Sequence, residues 1–213
     1  MRAGALACLC AACAQVAIMS VSPVIEALAL HLDQATGREV VALESKGDWP
    51  GMQQLAQVQL EREPARADWW FLRGYALARQ NQHAAAIESY QHAIRFSPEE
   101  EGSWLALAQS QSELGQFEAA IQTYRQVLRY RPESAQAYVG LADVLLEQGR
   151  PELAIPNYRE SVRYDPELAQ GWYGLSVAYQ ATGQRERRDE ALQQLRKLDA
   201  AAADRLERGL LVN

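Results

Sequence analysis

Beyond residue 13 the chain has no cysteine: Cys8, Cys10 and Cys13 are its only thiols. A disulfide scaffold is therefore excluded for the body of the protein. A basic surplus is also missing, since 21 Lys and Arg stand against 27 Asp and Glu for a net charge of −6. That removes the electrostatic footprint of a nucleic-acid binder. There is no glycine-rich phosphate loop, no His-Glu-x-x-His zinc motif and no paired Cys-x-x-Cys. Only three histidines occur, His31, His83 and His92, and no nucleophile–base pair is spelled out locally. The expectation is a protein that is not an enzyme, with no cofactor, no metal and no small-molecule substrate. The thiolates of "CLCAAC" have a spacing that can chelate soft metals. A tetrahedral zinc site needs a further ligand, and the nearest histidine is His31. We read these cysteines as small apolar residues in an apolar segment. After that segment no apolar run reaches the roughly 18 residues of a spanning helix.

What is present begins with "MRAGALACLCAACAQVAIMSVSP", where no charge follows Arg2 until Glu26. One basic residue before an apolar run matches the opening of a signal peptide. Cleavage fits the small-residue step Ala12-Cys13-Ala14, or a point near Ser20 or Ser22. The expected location is exported and bacterial, hence periplasmic. The alternatives are a cytoplasmic protein whose uncleaved apolar helix packs against the first hairpin of the chain, or a chain that touches membrane through this segment alone. Residues 1–32 are thus an apolar N-terminal segment and a leading helix.

The rest of the chain repeats. Prolines recur every 34 residues at Pro64, Pro98, Pro132 and Pro166. Trp70, Trp104, Tyr138 and Trp172 keep the same interval, followed by small residues at Gly74, Ala108, Ala142 and Ser176. Turn residues stand at Gly47, Asn81, Gly115, Gly149 and Gly183. Ala86, Ala120 and Ala154 come next, then Tyr90, Tyr124, Tyr158 and, in the last copy, Leu192. Between each proline and each turn residue the apolar spacing is helical, as in Trp104, Leu107, Ala108 and Leu114. Glycine closes that helix because a left-handed residue costs it nothing, and asparagine is the next most tolerant. A second helix runs to the next proline, which cannot continue it. Small residues such as Ala108 and Ala120 let the two helices approach closely, and the large aromatics fill the space where they splay.

A 34-residue helix–turn–helix of this pattern resembles the tetratricopeptide repeat. The resemblance implies an all-α, right-handed solenoid of stacked hairpins. Four copies fill residues 67–200, namely 67–100, 101–134, 135–168 and 169–200. A degenerate copy at 33–66 keeps Gly47, Leu55 and Pro64 but has Thr36 in place of the aromatic, so its first helix is expected to be short or loosely packed. In the last copy Arg188 replaces the small alanine, which predicts a looser pair. Residues 201–213 read as a capping helix, since terminal repeats need a polar outer face. Pro156 falls inside a second helix and predicts either a late start or a kink. His83, His92 (four residues after Glu88), Glu99–Glu101 and Arg185–Arg188 all read as solvated.

The resemblance also implies an interaction surface, because first helices line the concave groove in this family. The groove-facing positions are then Phe71, Tyr75 and Arg79, Leu105, Gln109 and Glu113, Val139, Asp143 and Leu146, and Tyr173, Val177 and Gln180. All but Glu113 and Gln180 are candidate partner-binding residues. A second reading turns Phe71, Leu105, Val139 and Tyr173 toward the adjacent repeat. Members that clamp a terminal carboxylate do so with Lys, Asn and Arg. Arg79 stands alone here, which argues against heat-shock chaperone tails as ligands. The expected function is a non-enzymatic scaffold that binds a protein or peptide segment and assists complex assembly. The alternative is a permanent subunit docked through its outer faces.

Overall fold

A computed structural model describes residues 22–211, so the cysteines and the expected export signal lie outside the described residues. The described residues form twelve helices and no strand. A short leading helix, α1 (Pro23–Ala29), precedes five hairpins. These are α2 (Gln34–Lys46) with α3 (Trp49–Arg62), α4 (Ala67–Arg79) with α5 (His83–Phe96), and α6 (Glu101–Glu113) with α7 (Phe117–Tyr130). Then come α8 (Ala135–Glu147) with α9 (Pro151–Tyr164), α10 (Ala169–Ala181) with α11 (Arg185–Leu198), and a last helix, α12 (Ala200–Leu211). Every first helix has 13 residues and every second helix 14.

Two local devices enforce this regularity. Gly47, Asn81, Gly115, Gly149 and Gly183 all adopt a left-handed backbone, with φ between 60° and 74°. The residue after each returns its N–H to the carbonyl five positions back, from Asp48 to Leu43 and, in turn, to Gln184 to Tyr179, at 2.9 Å every time. This is the Schellman end, and it satisfies carbonyls that a helix terminus otherwise leaves open. At the other end of the hairpin, Ser97 and Asp165 are forced toward extended geometry by the prolines after them. The indole N–H of Trp70, Trp104 and Trp172 donates to the carbonyl of Pro64, Pro98 and Pro166 respectively, each at 2.8 Å. The proline and the aromatic thus recur together because one bonds the other. These aromatics are half-buried, so their role is less to fill a void than to latch the inter-repeat loop.

The described chain divides into two compact units, 22–123 and 124–211, with the division inside α7. In the first, Ile25, Val40, Met52, Leu72 and Leu77 are buried, each contributing on the order of 1.5–3 kcal/mol. The degenerate copy's first helix is not short. Asp33 caps it by accepting the N–H groups of Ala35 and Thr36, both at 3.1 Å. In place of the missing aromatic, α1 comes so close that a side-chain carbon on Gly37 would sit 2.5 Å from the Ala29 carbonyl oxygen. Glu99 remains in the loop, but Glu100 is no idle charge: its carboxylate caps α6 at Gly102 and Ser103, at 2.9 and 2.7 Å.

In the second unit Val144, Leu146, Tyr158, Val177, Leu195 and Leu206 form the core. Helix α9 passes through Pro156 without a late start, beginning at Pro151 in register with its equivalents. The proline ring is exposed, so the lost hydrogen bond falls on the solvent side. In the last hairpin Arg188 stands where the other full copies have a small alanine. It bonds Gln180 across the hairpin at 2.6 Å and pairs with Asp189 at 2.6 Å. The last helix is capped by Asp199, which accepts the Ala202 N–H at 2.8 Å, and it buries Ala202, Ala203 and Leu206.

Candidate functional site

Within residues 22–123 the first-helix face of α4 gathers aromatics around one buried carboxylate. The Tyr75 hydroxyl donates to Glu44 Oε1 at 2.7 Å, and the Ser22 N–H donates to the same oxygen at 3.2 Å. Burial first, then the adjacent Glu44, raise the Tyr75 phenol far above its ordinary value, so it stays a donor at any physiological pH. Glu44 Oε2 is buried with no partner among the described residues. The Tyr75 ring stacks on Phe71 at 6.3 Å and meets the Trp49 ring edge-on at 6.0 Å. The exposed Arg79 guanidinium completes the arrangement, lying 4.6 Å over the Trp49 ring. Of the expected partner residues here, Phe71 is 5% exposed and serves the core. Tyr75 and Leu105 are half-buried, and Arg79 and Gln109 are open to solvent.

Within residues 124–211 most of the corresponding positions turn inward. Val139 is 5% exposed, and Leu146 and Val177 are each 2% exposed, so none presents a side chain to a partner. Only Asp143 and Tyr173 remain half-buried. Asp143 accepts a hydrogen bond from the Tyr158 hydroxyl. Burial pushes the Asp143 carboxyl up to about 7, helped by Glu147 and opposed by that hydrogen bond. The periodicity placed these residues on first helices correctly, but the apolar ones obey burial before recognition.

The same unit holds a cleft of about 450 Å³ that no first-helix argument foresees. Its walls are Arg159 and Arg163 of α9 and Arg187 and Glu190 of α11, and its base includes Trp172 and Tyr179 of α10. Two of the three equivalent aromatics are covered by a ring; Trp104, like Trp172, has none among the described residues. Trp70 is stacked under His92 at 4.2 Å, and Tyr138 under Tyr164 at 5.8 Å. No ring among the described residues stacks on Trp172. Positions 194 and 198, which correspond to His92 and Tyr164, carry Gln194 and Leu198. The histidines also depart from expectation. His92 is exposed but serves as the lid on Trp70, and His83 is half-buried with an Nδ1 that finds no partner among the described residues. Among the described residues no cluster of three His, Cys, Asp or Glu could hold a metal ion, and no helix is long and apolar enough to cross a membrane.

Five left-handed turns at one interval, each closing a 13-residue helix, and a tryptophan latch recurring beside them are a repeat signature in three dimensions. The tetratricopeptide repeat family matches residues 53–101, 105–167 and 141–205. The chain belongs to the tetratricopeptide repeat family. Solved structures with this fold include TTC0263, a thermophilic tetratricopeptide repeat protein of Thermus thermophilus. It is 19% identical, with a TM-score of 0.67 over 80% of this chain and 95% of that one. MamA is 20% identical at a TM-score of 0.61, over 81% of this chain and 96% of its own. YrrB, described as a tetratricopeptide repeat protein with an unusual peptide-binding site, is 17% identical at 0.58, over 78% and 87%. At such identities the likeness is one of fold, an all-α helical solenoid. No curated protein matches in sequence.

Proposed function

We propose that this protein is a non-enzymatic interaction scaffold. It holds a segment of a protein partner on its first-helix faces and so helps a larger complex assemble. One observation carries the reading: Arg79, Trp49 and Tyr75 form a cation–aromatic surface that is still partly open to solvent. Aromatic and arginine side chains of this kind dominate the energetics of interfaces. The peptide-binding site of YrrB, a protein of the same fold, supports extending peptide recognition to this chain. Export belongs to the same proposal and rests on Arg2 and the apolar run after it. An intact amino terminus on protein from the cytoplasm, seen by mass spectrometry, would refute it.

Tyr75→Ala is a poor probe of this surface, because it also strips the buried Glu44 of its donor. Arg79→Glu with Leu105→Asp leaves that pair alone. In a pull-down from the native host the double variant should lose its partners, by roughly 1–3 kcal/mol of affinity. Equal recovery of the same partners by both forms would sink the first-helix reading and favour permanent docking through outer faces.

A further inference from the structure

We propose that the cleft between α9 and α11 is a second, separate docking site, and that it takes an acidic protein segment carrying an aromatic anchor residue. The argument starts from charge. The chain as a whole is acidic at −6, yet this cleft is walled by three arginines against the single carboxylate of Glu190. Two of the three guanidinia are uncommitted to any acid among the described residues. Arg187 bonds the Gln184 amide oxygen, at 2.6 Å, and Arg159 makes no ion pair among the described residues. Arg163 is already held by Glu160 at 2.6 Å and lies over Tyr164 at 3.9 Å. Arginine presents a planar fork of donors that matches a carboxylate in two bonds. Isolated exposed ion pairs are weak, so charge alone would not make a site.

The second component is Trp172. In two of the three other full repeats a neighbouring ring covers the aromatic, His92 over Trp70 and Tyr164 over Tyr138, and in the third Trp104 has no ring over it among the described residues. Here the covering ring is absent among the described residues and the cleft occupies its place. The indole is latched in position by its bond to the Pro166 carbonyl at 2.8 Å, so a planar face is held ready. A partner's aromatic side chain stacked on it would restore the interaction that the repeat makes internally elsewhere. Carboxylates on either side of that anchor would reach Arg159 and Arg187. An anchor in a pocket with polar partners at its rim is the usual anatomy of an interface hot spot.

The test uses the full chain, labelled with nitrogen-15, and follows the indole N–H resonance of Trp172, assigned by its loss in Trp172→Phe. The probes are three capped pentapeptides: Asp-Glu-Phe-Glu-Asp, Asp-Glu-Ala-Glu-Asp and Lys-Lys-Phe-Lys-Lys. The first should move the Trp172 signal saturably, and the other two should bind at least roughly tenfold more weakly. Arg159→Glu with Arg187→Glu should weaken the first peptide by a similar factor. Both side chains are exposed, and the spectrum itself reports that the variant is folded. Arg79→Glu should leave the titration unchanged, which separates this site from the first-helix surface. The proposal is overturned if the three peptides bind alike, if none moves the signal, if the arginine variant binds normally, or if sulfate at matched ionic strength produces the same shift.

Discussion

Gly174→Ala should destabilise the protein, although helix propensity alone says the reverse. In a helix interior alanine is favoured over glycine by about 1 kcal/mol. Gly174 lies inside α10, and a side-chain carbon built there would fall within the ring of Tyr158. That ring cannot swing aside. It is 0% exposed, and its hydroxyl is tied to Asp143. Overfilling a packed core costs about 1–3 kcal/mol, so after the propensity gain the net loss is up to about 2 kcal/mol. For a chain of this size the melting temperature should fall by up to roughly 8 °C. Thermal and urea unfolding followed by circular dichroism measure the two quantities. The mechanism is checked with Tyr158→Leu, the residue that the last repeat carries at this position as Leu192. In that background Gly174→Ala should cost nothing or stabilise, giving a coupling of roughly 1–3 kcal/mol. If Gly174→Ala alone raises the unfolding midpoint, the ring contact is not the constraint and propensity governs.

Asp143→Asn should flatten a pH dependence. The folded carboxyl titrates near 7 against 3.8 for an unperturbed one. The folded state therefore keeps a proton that the unfolded chain has released, and stability present below about pH 4 is lost as the pH rises through about 7. Asparagine keeps an acceptor for Tyr158 and removes the titration. The variant should gain about 1–4 kcal/mol on wild type between about pH 4 and pH 8 in denaturant titrations, and an unchanged difference would refute it. At the turns, Gly115→Asn should cost less than about 1 kcal/mol and Gly115→Val about 1–2 kcal/mol. The chain itself places Asn81 at φ 60° in the equivalent turn, and nothing within 4 Å of Gly115 obstructs a side chain. Equal thermal midpoints for the two variants would contradict the left-handed argument.

The architecture was legible because its causes are local and recur. A glycine or asparagine that must be left-handed, and a proline that must end a helix, act within a few residues. Repetition at one interval then turns weak signals into a strong one. Half of the tryptophan's role was legible in the same way. Its spacing from the proline is fixed at six residues, but the indole donor that explains this spacing belongs to geometry. Trp69 shows the limit. It sits beside the periodic Trp70, carries no repeat signal, and is the one buried to 2% exposure.

The candidate sites were less legible, and the reason is physical. A position in a repeat fixes which helix and which turn a residue occupies, but accessibility depends on what its neighbours in the next repeat carry. Tyr90, Tyr124 and Tyr158 hold one repeat position, yet the glycine that makes room for the ring differs. Tyr90 would meet a side chain on Gly74 of its own hairpin at 2.7 Å, whereas Tyr124 and Tyr158 lie against Gly140 and Gly174 of the next. Where the second choice is made, Ala142 takes the place of Gly74, and where the first is made, Ala106 takes the place of Gly140. Such pairwise adjustments are invisible to a pattern that averages over copies. The cleft over Trp172 has the same origin, since Gln194 and Leu198 stand where two of the earlier hairpins supply a covering ring, His92 and Tyr164. Conformity to the repeat therefore builds the stack, while departures from it open surface. In a chain of near-copies, the copy that breaks its own rule is where a partner's side chain can be admitted.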